Sequence, residues 1–226
     1  MMTMDRYARN FPALTPEEQE ILKTKTVTVL GCGGLGGYLI NGAARLGVGR
    51  LRLIDCDVFS ESNLNRQLFC TEKNLGKSKA KEAAKAVAAI NSEVGAEALD
   101  CKMTEENAGE LLKGSDLVLD ALDNIEGRLI AEHACEELGI YLIHGAAAAW
   151  CSQAGTVAPG SRFFEKIYPK EAKLKPPAVL SFAPGFTANV QLSEMLKKLL
   201  GREASLEGKL LIADLEQMRI NIVEVP

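Results

Sequence analysis

Residues 26–36 read TVTVLGCGGLG, and their pattern of β-branched residues followed by glycines indicates the fold class. The β-branched run at 26–30 predicts a short strand, and apolar residues at helical spacing follow from 35 to 46. Four glycines separate the two elements, namely Gly31, Gly33, Gly34 and Gly36. They permit a tight turn and let the backbone approach a phosphate at the helix N-terminus. The stretch predicts a nucleotide-binding βαβ unit, leaves NAD and ATP equally open, and has a turn with packing duty only as its alternative.

The rest of the chain continues this pattern of strands alternating with helices. We expect a single domain with a Rossmann-like, doubly wound α/β fold, in which a mainly parallel sheet carries helices on both faces and is extended by C-terminal antiparallel strands. Strands are predicted at 26–30, 51–54, 94–99, 117–122, 140–143, 155–159 and, as a hairpin, 210–225; helices are predicted at 35–46, 77–91, 125–138 and 186–200. The predicted parts are an N-terminal helical arm (1–24), a nucleotide-binding core (25–150), a mobile crossover loop (160–180) and a C-terminal helix with strands (181–226).

The composition excludes several classes of function. A chain of 226 residues with a net charge of −4 has no general attraction for nucleic acid or membranes. The apolar stretches are interrupted before they reach membrane-spanning length, and the N-terminus has no apolar signal region. Six cysteines occur without a C-x-x-C pair, so we predict no zinc site. We therefore expect a cytoplasmic protein that binds neither nucleic acid nor membranes.

An acidic pair follows the second predicted strand. Asp55 lies 24 residues after Gly31, at the carboxyl end of that strand, where a carboxylate can accept hydrogen bonds from ribose hydroxyls. Asp57, two residues on, either contacts the nucleotide or caps a loop. This pair is compatible with both NAD and ATP.

The motif Asn63-Leu64-Asn65-Arg66-Gln67, with Lys79 twelve residues further on, favours ATP. An arginine in a loop beyond a nucleotide-binding strand can hold a polyphosphate bidentately. Lys79 begins a predicted helix, where its charge opposes the helix dipole unless an anion holds it. The alternatives are a solvated polar loop for the motif and a solvated helix face for the lysine and its neighbours.

Two aspartates end the fourth predicted strand, Asp120 and Asp123. A carboxylate at this edge of the sheet, close to a polyphosphate, is a candidate Mg²⁺ ligand, and we favour Asp123 for that role. The alternative for either residue is the N-cap of the following helix. Of the two histidines, His144 could line the site, and His133 is expected to be structural.

The shortage of candidate bases also bears on the reaction. Hydride transfer from an alcohol needs a proton acceptor. Adenylation of a carboxylate does not, because the nucleophile is already an anion and the barrier falls by positioning and by neutralising phosphate charge.

Taken together, these motifs resemble the ThiF/MoeB/HesA family, whose members are related to the adenylation domains of ubiquitin-activating enzymes. The resemblance covers nearly the whole chain and includes the segments at 6–10, 31–36, 55–57, 62–67, 75–79, 119–124 and 195–201. It implies an enzyme that uses ATP and Mg²⁺ to adenylate the C-terminal glycine of a small ubiquitin-like sulfur carrier protein ending in Gly-Gly.

The resemblance also implies roles for individual residues. Asp55 would bind the ribose, and Asp123 would coordinate Mg²⁺. The phosphates would be held by Asn63, Arg66 and Lys79, with Gln67, Asp57 and the four glycines completing the nucleotide site. Arg9 would act in the second subunit of a homodimer.

The chain departs from the family pattern in three respects. It lacks the two C-x-x-C pairs of the zinc-binding members, residues 152–226 contain no cysteine for a covalent link to the carrier, and Arg9 is followed by Asn10 rather than glutamine. These departures favour the short ThiF-like branch, in thiamine or molybdopterin synthesis. The competing hypotheses are an NAD-linked oxidoreductase, an adenylating enzyme for a small-molecule or RNA-borne carboxylate, and a non-catalytic carrier-binding module.

Overall fold

The computed structural model describes residues 4–168, 178–204 and 206–225. The helices are α1 Pro16–Lys23, α2 Gly34–Leu46, α3 Lys79–Ile90, α4 Ala108–Leu112, α5 Ile125–Leu138, α6 Phe163–Ile167 and α7 Phe182–Leu199. The strands are β1 Thr26–Leu30, β2 Arg50–Ile54, β3 Gly95–Leu99, β4 Leu117–Asp120, β5 Leu142–Ala148, β6 Cys151–Val157, β7 Lys209–Asp214 and β8 Arg219–Glu224. Short 3-10 segments lie at Met4–Asn10, Glu61–Asn63 and Glu72–Asn74.

The strands form one sheet in the order β3-β2-β1-β4-β5-β6-β7-β8. The pairs from β3 to β5 are parallel, and those from β5 to β8 are antiparallel. The predicted fold class is therefore confirmed, including the C-terminal antiparallel extension and the hairpin of β7 and β8. The strand order changes direction at β1 and β4, and ligands of doubly wound folds bind at the carboxyl edge of that switch point.

Helices cover both faces of the sheet because its central strands are apolar on both sides. On one face, Val27 and Val29 belong to a buried cluster with α2, α3 and α7. On the other face, Leu30 and Val118 belong to a second cluster with α4, α5 and α6. A strand buried on both faces is held firmly, so the residues at its carboxyl end have fixed positions.

The N-terminal arm consists of the first 3-10 segment and α1. Thr15 and Glu18 form the reciprocal capping box at the start of α1. Glu18 also forms an ion pair with Arg202. The pKa of Glu18 is lowered mainly by the hydrogen bond from the Thr15 backbone N–H and, to a smaller extent, by the hydrogen bond from Arg202. The Tyr7 ring of the 3-10 segment lies against Gly47 at the end of α2. Both segments of the arm therefore contact the body of the protein, one through Tyr7 and the other through Glu18 and Arg202.

Several predicted boundaries are wrong, and pairing explains the differences. The strand predicted at 140–143 begins at Leu142 and runs on to Ala148. Glycine and alanine have low strand propensity, but antiparallel pairing with β6 holds this small-residue run extended. The same pairing starts β6 at Cys151, four residues before the predicted 155–159. The helix α4 was not predicted from the sequence.

The predicted mobile loop at 160–180 is wrong in its first part. Residues Phe163–Ile167 form α6, and the side chains of Phe163 and Phe164 are buried in the second core cluster. Burial of two aromatic rings favours a fixed helix there. Residues 169–177 of the predicted loop lie outside the described residues. In the part of the chain that the structure describes, no helix is both long and apolar enough to span a membrane.

Candidate nucleotide-binding site

The glycine turn lies at the carboxyl edge of β1, against the end of β4. Gly31 has φ +94°, and a Cβ there would lie 2.7 Å from the Ala121 carbonyl oxygen. A Cβ on Gly36 would lie 1.8 Å from the carbonyl oxygen of Gly31. Both positions exclude a side chain, because real Cβ atoms do not approach backbone oxygens this closely. The turn therefore presents bare backbone at the N-terminus of α2, as phosphate binding requires.

The 63–67 motif packs directly on this turn. A Cβ on Gly33 would lie 3.4 Å from Gln67 Nε2, and one on Gly34 would lie 3.5 Å from Arg66 Cγ. Gln67 is buried, and its Oε1 has no hydrogen-bond partner among the described residues. A buried acceptor without a partner usually marks the place of a water or a ligand donor. The glycine turn at 31–36 and the motif at 63–67 therefore lie together. They form one candidate nucleotide site, which is called the cradle below.

Asp55 closes the cradle on the side of β2. Its Oδ2 accepts the backbone N–H of Cys32 at 2.7 Å, and its Oδ1 accepts the N–H of Asp57 at 2.8 Å. Burial raises the pKa of Asp55, while these two N–H donors and the Lys79 ammonium oppose the rise. Each carboxylate oxygen retains acceptor capacity, so the group can also accept from ribose hydroxyls.

Lys79 is mostly buried at the first position of α3. Its Nζ lies 2.8 Å from Asp57 Oδ2, and its side chain is 9% exposed, against 65% for Asp57. Asp57 therefore pairs with a lysine rather than serving only as a loop cap. By contrast, Lys81 pairs with Asp100 and is 62% exposed, as the solvated-face alternative predicts for it.

Asn63 and Arg66 make different contacts within their loop. Asn63 Oδ1 accepts the backbone N–H of Ser60, so this buried side chain shapes the loop. Arg66 Nη1 donates to the Ser62 carbonyl and to Asn65 Oδ1, both at exposed positions. Exposed hydrogen bonds are exchanged for others at small cost, so the guanidinium can turn to an anion.

Asp123 lies three residues beyond the end of β4, in an exposed loop. Its Oδ1 accepts from Asn124 Nδ2 at 3.1 Å. Asn124 is the N-cap of α5, since its Oδ1 accepts the N–H of Gly127 at 2.8 Å, so the N-cap alternative is wrong for both Asp120 and Asp123. Among the described residues, no group of three or more His, Cys, Asp or Glu could hold a metal ion by itself. One carboxylate still fits Mg²⁺, which keeps its waters and binds one or two carboxylates together with substrate phosphates.

Asp120 is not available as a metal ligand. Its carboxylate is completely buried, and Oδ2 lies 3.1 Å from Arg128 Nε and 2.7 Å from His144 Nδ1. Burial on its own would raise the pKa of Asp120, but Arg128 and His144 outweigh it and hold that pKa below its ordinary value. His144 is likewise buried and does not line the nucleotide cradle. The Tyr168 hydroxyl completes this cluster, 3.2 Å from Arg128 Nη1.

Arg128 was missed in the sequence, although a signal was present. It is in phase with the buried residues Ala131 and Cys135 of α5, so a charged residue falls on the buried face of an amphipathic helix. A buried arginine needs a carboxylate partner. The other histidine, His133, is exposed on α5 and pairs with Glu137 at 3.4 Å.

Arg9 is not brought to the nucleotide cradle of its own chain. It is exposed, two residues after Tyr7, whose ring lies against Gly47 at the C-terminal end of α2. The cradle lies at the other end of this 13-residue helix, about 20 Å away at the ordinary helical rise.

The fold and the cradle define a nucleotide-binding α/β protein whose buried lysine, partly exposed arginine and open carboxylate suit a polyphosphate better than a dinucleotide. Comparison with known proteins makes the assignment specific. The chain belongs to the ThiF family, whose model matches residues 5–226.

Two relatives and one solved structure illustrate the match. The SAMP-activating enzyme E1 of Haloferax volcanii is 34% identical over 97% of this chain and 84% of its own length. The sulfur carrier protein adenylyltransferase of Thermus thermophilus is 36% identical over 93% and 83%. A crystal structure of E. coli MccB with ATP has a TM-score of 0.85 at 22% identity, over 97% of this chain and 70% of that one, which supports the fold. The prediction of an adenylyltransferase is confirmed, and the NAD-linked alternative is set aside.

Proposed function

We propose that this protein adenylates the C-terminal glycine carboxylate of a small ubiquitin-like sulfur carrier, using ATP and releasing pyrophosphate. The carrier substrate is supported by the name of the Thermus thermophilus relative, a sulfur carrier protein adenylyltransferase. The observation that carries the proposal is the position of Lys79. A mostly buried ammonium lies beside the bare glycine turn and Asp55, where the phosphates and the ribose of one nucleotide can be held together.

ATP fits the cradle residue by residue. The triphosphate lies along the N-terminus of α2, over Gly31, Gly33, Gly34 and Gly36. Asp55 accepts from the ribose hydroxyls, while Arg66 and Lys79 neutralise phosphate charge. Asn63 and Gln67 shape the same wall and offer amide donors to the ligand.

Asp123 would hold Mg²⁺ together with phosphate oxygens of the bound ATP. When bound, the ion supplies charge neutralisation on the phosphates. The chain's own contribution to the ion is the exposed carboxylate of Asp123 beyond the carboxyl end of β4.

The reaction follows from these charges. An oxygen of the carrier's carboxylate attacks the α-phosphorus, a new P–O bond forms, and the bond to the pyrophosphate leaving group breaks. No proton has to be removed, so the site needs no base. Arg66 and Lys79 stabilise charge that builds on the phosphates in the transition state.

The protein acts as a homodimer in this proposal, and Arg9 reaches the site of the second subunit. The position of Arg9 supports an action outside its own chain, because a helix length separates it from its own cradle. An arginine supplied by another subunit can stabilise phosphoryl charge without disturbing nucleotide binding. The site is proposed to work in the cytoplasm, in thiamine or molybdopterin synthesis.

Intact mass spectrometry of the carrier tests this function. Purified protein, ATP and Mg²⁺ are incubated with ThiS-like and MoaD-like carriers ending in Gly-Gly, and we expect one carrier to gain the mass of an adenylyl group. The matched control is the same carrier with an amidated C-terminus, which offers no carboxylate. An adduct on the amidated carrier, or none on any carrier while a small carboxylic acid is adenylated, would contradict the proposal.

A further inference from the structure

We propose that Arg128, together with Asp120, is a positioning residue that fixes the loop carrying Asp123 against the glycine turn. This inference rests on the proposed function, because it assumes that Asp123 meets the metal of the bound nucleotide. Neither Arg128 nor Asp120 reaches the nucleotide itself. Both act on the backbone of the residue that precedes Asp123.

The two residues hold Leu122 from both sides. Asp120 Oδ1 accepts the N–H of Leu122 at 2.9 Å. Arg128 Nη2 donates to the carbonyl oxygen of Leu122. That carbonyl belongs to the peptide plane that leads into Asp123, so its orientation restricts where the Asp123 Cα lies and which directions its side chain can take.

Burial makes this arrangement rigid. The Asp120 side chain is 0% exposed and that of Arg128 is 5% exposed, so water does not compete for their hydrogen bonds. The carboxylate is also held by His144 Nδ1 at 2.7 Å, and the guanidinium by the Tyr168 hydroxyl at 3.2 Å. A buried polar network in which both charged groups are fully used is stiff and costly to rearrange.

The same loop touches the glycine turn. The N–H of Ala121 donates to the Leu30 carbonyl at 2.9 Å, and the Ala121 carbonyl is the atom that a Cβ on Gly31 would meet. Ala121 therefore contacts the strand end and the glycine turn, while the next residue, Leu122, is bound to Arg128. The geometry points to a fixed distance between the cradle and Asp123. The buried ion pair of Asp120 and Arg128 maintains this distance.

An arginine suits this task better than a lysine. Its guanidinium donates at the same time to Asp120, to the Leu122 carbonyl and to Tyr168. A lysine keeps the charge beside Asp120, but its single ammonium cannot reproduce the planar fork. Arg128→Lys should therefore preserve the ion pair and loosen the loop.

Metal binding to the full-length protein tests the proposal. Mn²⁺ is titrated in place of Mg²⁺ in the presence of α,β-methylene ATP, and free Mn²⁺ is read by electron paramagnetic resonance. We expect Arg128→Lys to weaken Mn²⁺ binding to the protein–nucleotide complex about tenfold, as for losses of the groups that orient a metal ligand. Binding of the same nucleotide in EDTA should stay within about twofold, because the cradle cations are untouched.

Arg52 provides the matched control. Its Nη1 also donates to two backbone carbonyls, those of Leu111 and Lys113, and its Nε pairs with Glu97, but it lies away from the cradle. Arg52→Lys should lower the melting temperature without changing Mn²⁺ binding. If Arg128→Lys behaves in the same way, the positioning role is overturned.

Asp123→Ala separates this inference from the proposed function. It should weaken Mn²⁺ binding at least as much as Arg128→Lys, and adding Arg128→Lys to it should cause no further loss, because both changes act through one carboxylate. Unchanged Mn²⁺ binding in Asp123→Ala would overturn the metal assignment, and the inference with it. A normal effect of Asp123→Ala with no effect of Arg128→Lys would overturn the inference alone.

Hydrogen exchange on the unaltered protein keeps the proposal testable if Arg128→Lys does not fold. The Leu122 amide, bound to a buried carboxylate, should exchange much more slowly than the amides of Asp123 and Asn124 in the same loop. Equal exchange rates for the three amides would overturn the proposal.

Discussion

Lys79 Nζ lies 2.8 Å from Asp57 Oδ2 in a pair whose lysine is mostly buried and whose aspartate is mostly exposed. The pair is therefore asymmetric: the cation is fixed by the protein, while its partner faces solvent. Screening by water weakens the hold of the exposed carboxylate. A phosphate arriving at the glycine turn can share the ammonium without first having to extract it from a buried ion pair.

Replacing Lys79 should affect the reaction strongly. Lys79→Gln removes a preorganised charge from the phosphates, and we expect the rate of ATP–pyrophosphate exchange to fall about 10²–10³-fold. The control is Lys81→Gln, two residues along the same helix, where an exposed lysine pairs with Asp100 at the same 2.8 Å. Its exchange rate should stay within about twofold of the unaltered protein. Equal losses in the two variants would remove Lys79 from the site.

Gly36 should tolerate no side chain. The Cβ of Gly36→Ala would lie 1.8 Å from the Gly31 carbonyl oxygen, so the turn must shift, and we expect a loss of about 1–3 kcal/mol in the free energy of unfolding. Gly109→Ala is the matched control, because it lies in α4, and beyond its chain neighbours and the backbone of that helix no heavy atom lies within 4 Å of the new Cβ. Alanine is the better helix former, so this variant should gain up to about 1 kcal/mol. Urea unfolding measures both changes; an unchanged free energy of unfolding for Gly36→Ala would show that the turn has room for a side chain.

Arg9 of each subunit should be needed only for the reaction at the nucleotide site of the other subunit. Arg9→Ala should lower exchange more than it lowers ATP affinity, whereas Arg6→Ala, which loses contacts to Asn91 and Glu93 of its own chain, should act through stability.

Mixed dimers give the decisive result for Arg9. Combining Arg9→Ala with Lys79→Gln subunits leaves one intact site in each mixed dimer, and random mixing should restore about a quarter of the sites. No recovery on mixing, or an active monomer, would refute action between subunits.

The buried cluster should make stability depend on pH. Burial lowers the pKa of His144 below 6.5, despite the opposing influence of Asp120. The unfolded chain therefore takes up a proton near pH 6.5 that the folded protein refuses, and stability present above that pH is lost below it. For one such histidine the loss is at most about 1 kcal/mol between pH 6.5 and 5.5.

His144→Asn should remove this component. Its amide can still donate to Asp120, but the side chain no longer titrates, so the variant should lose less stability than the unaltered protein between pH 7.5 and 5.5. His133→Asn, which changes an exposed histidine, is the control and should keep the full pH dependence. Urea unfolding at several pH values decides; parallel curves for the unaltered protein and His144→Asn would exclude this origin.

The local patterns predicted most of the nucleotide cradle. The β-branched run, the glycines and Asp55 are close in sequence, so their geometry follows from one strand, one turn and one helix. The contacts of Arg66 and Gln67 with the turn could be anticipated only as proximity, because they depend on how the loop folds back. The role of Asp123 stays a prediction, made because the fourth strand ends at the carboxyl edge of the sheet, where doubly wound folds bind ligands.

What the sequence could not predict depends on long-range packing. The sequence made Asp120 a candidate Mg²⁺ ligand, but in the fold its carboxylate pairs with Arg128 and His144. The extension of β5 and the helix at Phe163–Ile167 likewise come from partners distant in the chain. Strand pairing extends β5 although its residues have low strand propensity, and burial of two aromatic rings accompanies the helix at Phe163–Ile167.

Carrier-dependent ATP–pyrophosphate exchange measures the proposed adenylation itself. Labelled pyrophosphate should enter ATP only when the protein, Mg²⁺ and a carrier ending in Gly-Gly are all present, and Asp123→Ala should abolish the exchange. Tight NADH binding without exchange on any carrier would contradict the adenylation of a carrier protein.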